Sequence, residues 1–197
     1  MTWRRVVLVA AVLAAACSRE APGDRPGGAD PGECFAKMKD AMARSDWGSL
    51  WDQNAPETRG LLLASSIGPW AQIRRGTQAS PVLMKPEPES VRLVEDVLKE
   101  HGVSLDALAR GLDTGPEAFL EGTAGVADKR GLFVAMMFQT VRAPEVGMPL
   151  MVRLEDLRID GDRATGVGIL SYKGTEAGRK ALTFEKIGDR WFRAFGK

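Results

Sequence analysis

Val6 to Ala16 is an unbroken run of eleven apolar residues, preceded by Arg4-Arg5 and closed by Cys17. After it the pattern inverts: residues 18–31 hold few apolar side chains and much proline and glycine. Such a stretch buries too little surface to offset the entropy of ordering it, and reads as a flexible tether. Helical spacing then begins. Asp30-Pro31-Gly32-Glu33 supplies a cap, a first-turn proline and capping-box spacing, and Cys34, Phe35, Met38, Ala41 and Met42 form one stripe. Ser45-Asp46 caps a short helix carrying Trp47, Leu50 and Trp51. A further helix opens at Asn54-Ala55-Pro56-Glu57, turns Leu61, Leu62, Ala64 and Ile67 inward, and is expected to stop at Gly68-Pro69.

Residues 76–88, with Pro81, Pro86 and Pro88, read as loop. Glu89 to His101 places Val91, Val94, Val97 and Leu98 on one side and ends at Gly102. Ser104 caps a short helix with Leu105, Leu108 and Leu112, and Thr114-Gly115-Pro116-Glu117 is another capping box ahead of Phe119 and Leu120. Val126 to Val141 carries Leu132, Phe133, Met136 and Met137, most simply as core.

Beyond Pro149 the period shortens to two. Leu150 to Glu155 alternates, Leu157 to Ile159 alternates in the opposite phase, and the phase break predicts a bulge. Asp160-Gly161 turns the chain into a strand from Ala164 to Tyr172, with Gly166 and Gly168 sharing one face. A loop over 173–178 leads to a strand from Arg179 to Ile187, and Gly188-Asp189 turns it into Arg190 to Phe195. Helices first and strands last predict an α+β fold: N-terminal and central helices packed on a C-terminal four-stranded antiparallel meander. The expected organisation is a signal over 1–16, a tether over 17–31 and one domain over 32–197, with a helical insertion at about 76–148.

A basic start, a short apolar core and small residues before a cut site define a secretory signal. Eleven residues are too few for a membrane span, which takes about 20. The stretch Ala14-Ala15-Ala16-Cys17 resembles the lipobox of bacterial lipoproteins, with Ala14 where leucine is usual. The resemblance implies that Cys17 is acylated, becomes the new N-terminus and anchors the chain in a membrane; more than one acyl chain exceeds the marginal hold of a single one. Ser18, where aspartate would mark inner-membrane retention, implies the outer membrane, facing the periplasm. Ala14-Ala15-Ala16 equally fits ordinary cleavage, which would leave a soluble periplasmic or secreted protein.

Removing residues 1–16 takes the net charge from +1 to about −1. A near-neutral balance offers no electrostatic footprint for nucleic acid. The chain has two cysteines: with Cys17 acylated, Cys34 has no partner and reads as a small buried hydrophobe; with Cys17 free, a Cys17–Cys34 bridge is open to an oxidising compartment.

Ser45-Asp46-Trp47, Leu50-Trp51 and the helix around Glu57 to Leu61, together with the closing hairpin Phe184 to Phe192, look like the start and end of the nuclear transport factor 2-like superfamily. The resemblance covers residues 33–67 and 150–196 and implies a cone: a bent sheet covered by helices, often around a pocket. Residues 76–148 are longer and more helical than that pattern.

The sequence lacks H-E-x-x-H, G-x-S-x-G, G-x-x-x-x-G-K-[ST], S-x-x-K and C-x-x-C, and His101 is its one histidine. A His-based zinc site or a Ser-His-Asp triad therefore lacks parts, and His101 beside Gly102 suits a helix C-terminus. No metal and no cofactor is expected. Glu155, Asp156, Asp160 and Asp162 read as a solvated hairpin rather than a calcium loop. Trp47, Trp51, Trp70 and Trp191 serve either as core or as pocket wall, and Trp47, Trp51, Tyr172, Phe184 and Trp191 form the candidate pocket. The cone resemblance also implies an alternative: an enzyme pairing Tyr172 with Asp40, Asp46 or Asp52. The leading expectation is a non-enzymatic domain that binds a small apolar ligand or an envelope protein; a structural subunit of an envelope complex is the third.

Overall fold

The computed structural model describes residues 25–74, 88–111, 120–142 and 149–195. Cys17, the 1–16 signal, the Thr114–Glu117 capping box, Leu112, Phe119 and nearly all of the loop at 76–88 lie outside the described residues.

Ahead of the sheet, the described residues include the helices α1 (Pro31–Ala43), α2 (Trp47–Asp52), α3 (Arg59–Arg74), α4 (Pro88–Glu100), α5 (Leu105–Gly111) and α6 (Lys129–Arg142). Helix α1 begins as its sequence dictates. The Asp30 carboxylate accepts from Glu33 N at 2.8 Å, and Glu33 reaches back to accept from Ala29 N at 2.6 Å. Cys34, Phe35, Met38 and Ala41 are buried along its stripe. Asp46 caps α2 by accepting from the Ser49 backbone N–H at 3.0 Å. Those backbone and hydroxyl hydrogen bonds from Ser49 hold its carboxyl below the usual range.

Helix α3 does not stop at Gly68-Pro69; it runs through Pro69 to Arg74. An internal proline costs about 3 kcal/mol. Trp70 and Ala71, the next two residues, are fully buried, and Trp70 Nε1 donates to Thr140 Oγ1 at 3.1 Å. Burying a tryptophan's 150–250 Å² at about 25 cal/mol per Å² gives roughly 4 kcal/mol or more, enough to outweigh the proline. Leu63 is fully buried where Leu61 was expected, and Leu61 is only half-buried. Helix α4 turns Val94 and Leu98 inward, and His101 Nδ1 lies 2.9 Å from Val97 O at its C-terminus. Helix α6 starts three residues later than Val126. Asp128, accepting from Gly131 N at 2.7 Å, is its cap.

The strands β1 (Leu150–Asp160), β2 (Arg163–Tyr172), β3 (Thr175–Ile187) and β4 (Arg190–Ala194) form an antiparallel meander in chain order. The α+β architecture is thus the observed one. The register breaks between Glu155 and Arg158, at Asp156 with φ of 52°, where the phase of alternation switches. The expected loop over 173–178 is a tight turn instead. Lys173 and Gly174 both take positive φ, 50° and 81°, and Tyr172 pairs directly with Thr175. The extra residues join β3.

The sheet buries the face carrying Ala164, Gly166 and Gly168 with Leu182 and Phe184. A Cβ at Gly166 would sit 2.9 Å from Leu154 Cδ1, and one at Gly168 2.8 Å from Leu182 Cδ1. The two glycines therefore let leucines from both neighbouring strands lean over β2. On the opposite face Ile169 is also buried, flanked across the strands by Arg153 and Arg179, which Glu155 joins.

Helix α1 lies against β1 and β4 and also packs on α2; α3 and α6 complete the layer, with α4 and α5 behind them. The outer edge of β4 is covered twice. Gly28 exchanges backbone hydrogen bonds with Trp191, at 2.9 and 2.8 Å. Arg193 N donates to Gln53 O and its carbonyl accepts from Ala55 N. Residues 25–30 thus belong to the folded body rather than to the tether assigned to 17–31. Arg190 Nη2 and Lys37 Nζ both donate to Gly27 O, and Gly27 N donates to Gln53 Oε1.

Candidate functional site

A cavity of about 260 Å³ opens between the helical layer and the sheet. Met38 and Met42 of α1 and Leu50 of α2 form one wall. Leu62, Pro69 and Trp70 of α3 form the second, and Phe133 and Met137 of α6 the third. Methionine gives such a wall adaptable, polarisable surface. Ser65, Ser66 and Thr140 are its hydroxyl-bearing members, and each hydroxyl already donates to a carbonyl of its own helix: Leu62 O, Leu63 O and Met136 O. The helical side is therefore mostly apolar, with its hydroxyl protons committed.

The sheet side is different. Met151 of β1, Lys180 of β3 and Arg193 of β4 close it. Arg193 is 6 % exposed, its Nε finds no hydrogen-bond partner among the described residues, and its Cζ lies 4.2 Å from the Phe195 ring centroid. Burial pushes the guanidinium down to about 10, with the Cys34 thiol acting weakly the other way. Lys180 keeps contact with solvent at the rim; partial burial and then the Arg193 charge lower its pKa. Two cations thus share one cavity, and among the described residues no carboxylate lies close enough to offset the Arg193 charge.

None of Trp47, Trp51, Tyr172, Phe184 and Trp191 lines this cavity. Trp47, Phe184 and Trp191 are buried in the core. Trp51 packs on Phe133 with centroids 5.3 Å apart and carries Arg59 on its ring. Tyr172 is 41 % exposed at the end of β2, beside Lys173. The acids named with it are occupied elsewhere. Asp40 pairs with Arg44, Asp46 caps α2, and Asp52 holds Arg130 through both oxygens, at 3.2 and 2.8 Å. The structure brings no Asp–Tyr172 pair together in the cavity. Trp70 is the tryptophan that does line it, together with Phe133.

The sequence carries a signal for Lys180 and Arg193 in the parity of their strands. Lys180 shares strand parity with Leu182 and Phe184, and Arg193 with Trp191, so both charges fall on an apolar face.

Cys34 is a free, fully buried thiol with Sγ 3.8 Å from Gln53 O, and burial pushes it up to about 12. Among the described residues no group of three or more His, Cys, Asp or Glu side chains could hold a metal ion, and no helix is long and apolar enough to cross a membrane. A second depression of about 340 Å³ includes Glu57, Arg163, Glu185 and Lys186, charges of both signs. No protein-family model, curated protein or solved structure matches the chain.

Proposed function

We propose that the chain is an exported lipoprotein whose folded domain binds a small apolar ligand while Cys17, acylated, ties it to the cell envelope. The observation that carries the binding half is the cavity of about 260 Å³ with methionine, leucine and aromatic walls. An apolar cavity near 150 Å³ accommodates benzene, so this one suits a ligand of roughly ten heavy atoms. Ligand sites are typically concave, mostly apolar and fitted with a few polar groups that fix orientation. The envelope half rests on the basic start, the apolar run and Cys17. The cone resemblance supports the reading at one point: such folds often leave a pocket between helices and sheet.

Intact-mass measurement after expression in a Gram-negative bacterium tests the anchor. The expected product begins at Cys17 and carries added acyl mass; an unmodified Cys17 overturns that half. Binding is tested separately, by titrating short-chain apolar compounds and following tryptophan fluorescence, with Trp70 in the wall as reporter. A flat titration across compounds of six to twelve carbons overturns that half.

A further inference from the structure

We propose that the cavity takes a single-chain amphiphile with an oxyanion head, its carboxylate or phosphate held by Arg193 and Lys180 and its chain lying along the methionine-lined wall. This rests on the ligand-binding reading and deepens it. Two observations converge. The walls are apolar, and the volume of about 260 Å³ takes roughly ten heavy atoms, most of the length of such a molecule. The sheet side carries two cations in a pocket whose hydroxyls already donate to carbonyls of their own helices.

Arg193 gives the argument its weight. A buried charge is expensive unless paired, and natural proteins rarely retain one without a partner. Here the residue is 6 % exposed, its Nε has no hydrogen-bond partner among the described residues, and its neighbours are a thiol, a lysine and the Phe195 ring. An incoming oxyanion supplies what is missing. The planar fork of arginine matches carboxylate or phosphate, and Lys180 at the rim adds a second, mobile point charge. An uncharged alcohol offers the chain without the charge. A cationic head would face Arg193 and Lys180 directly.

The test is calorimetric titration of the full-length chain with decanoate, decyl phosphate, decanol and decyltrimethylammonium, each below its micellar concentration. Decanoate or decyl phosphate is expected to bind about ten- to a hundredfold tighter than decanol, the worth of a charge-assisted hydrogen bond. The stronger of the two anions identifies the source, a free fatty acid or a phosphate-headed lipid. The ammonium compound is expected not to bind. Arg193→Met should bring the anion-to-decanol ratio down toward one with decanol binding kept. Ser66→Trp, which fills the cavity, should abolish both. Equal affinity for decanol and both anions, or tighter binding of the ammonium compound, overturns the oxyanion head and leaves the apolar site standing. No binding by any of the four overturns the site itself. The comparison of ligands on the unaltered chain stands without either variant, and none of these readings depends on Cys17.

Discussion

Replacing Arg193 by methionine should make the unliganded protein more stable. The guanidinium is pushed down to about 10 by burial, against an ordinary value of about 12.5. Each power of ten in proton affinity is worth 1.36 kcal/mol, so the charged form sits roughly 3 kcal/mol less comfortably in the folded state than in water. Against this stands the contact with the Phe195 ring, 4.2 Å away. A desolvated cation–π contact returns up to about 2 kcal/mol. Methionine keeps the apolar stem and much of the volume, so no large cavity follows. The difference favours the variant by about 1–2 kcal/mol. For a domain of this size that raises the thermal midpoint by roughly 2–8 °C. The pH dependence has a definite sign. The folded state loses the proton more readily, so at every pH below about 10 the penalty is present in full. It fades as pH rises through about 10, where only the unfolded chain still holds the proton. Urea unfolding of both proteins at pH 7 is the assay. A variant less stable by 1 kcal/mol or more would refute the reasoning, because it would mean that Arg193 is satisfied in the native state.

Other expectations follow from the core, the strap and the thiol. Leu63→Ala empties a fully buried position on α3 and should cost about 2–5 kcal/mol in urea unfolding; a cost under 1 kcal/mol would place Leu63 outside the core. Gly28→Ala sets a Cβ 2.3 Å from Cys34 N and 2.6 Å from Asp30 O. It should therefore release the 25–30 strap and speed hydrogen exchange at the Trp191 N–H, which unchanged protection would contradict. Cys34, pushed up to about 12 by burial, should resist alkylation at pH 8 until the protein is unfolded, as read by peptide mass mapping. Because the unfolded thiol ionises near 9.0 while the folded one stays protonated to about 12, this group's contribution to stability is full below about 9 and is lost as pH rises toward 12. Asp52→Asn removes the carboxylate charge that joins α2 to α6, but Arg130 is half exposed. The change should cost no more than about 1 kcal/mol; a larger loss would show that the pair is shielded from solvent.

The parts of the fold written in local chemistry were legible. Asp30, Pro31 and Glu33 specify the start of α1 within four residues, and the phase break after Glu155 marks the β1 bulge. What depended on distant partners was not. Pro69 reads as a stop until Trp70 is seen anchored on Thr140, 70 residues away. The Lys173–Gly174 turn was hidden because lysine is a poor advertisement for positive φ. The cavity escaped for a related reason. Large aromatics drew attention as wall material, but size makes them good core, and Trp47, Phe184 and Trp191 are spent there. A gap between elements is a property of how α1, α3 and α6 sit over β3 and β4, and no local pattern encodes it. The two cations were legible in principle through their parity with Leu182, Phe184 and Trp191.

The docking of residues 25–30 on β4 also sets a length. With Cys17 held in a bilayer as proposed, the distance from it to the folded body is counted to Arg25 rather than to Pro31. Eight residue steps at 3.3–3.6 Å span at most about 29 Å, where fourteen would reach about 50 Å. A domain of this size is roughly 40 Å across. Under that proposal the link would be shorter than the body it holds, and the domain would not turn end over end at the membrane. The β4 edge, on which residues 25–30 dock, would then be its near side. Arg193 lies on that same strand, so an anchored domain would hold the charged end of the cavity close to the lipid surface from which an amphiphile would come.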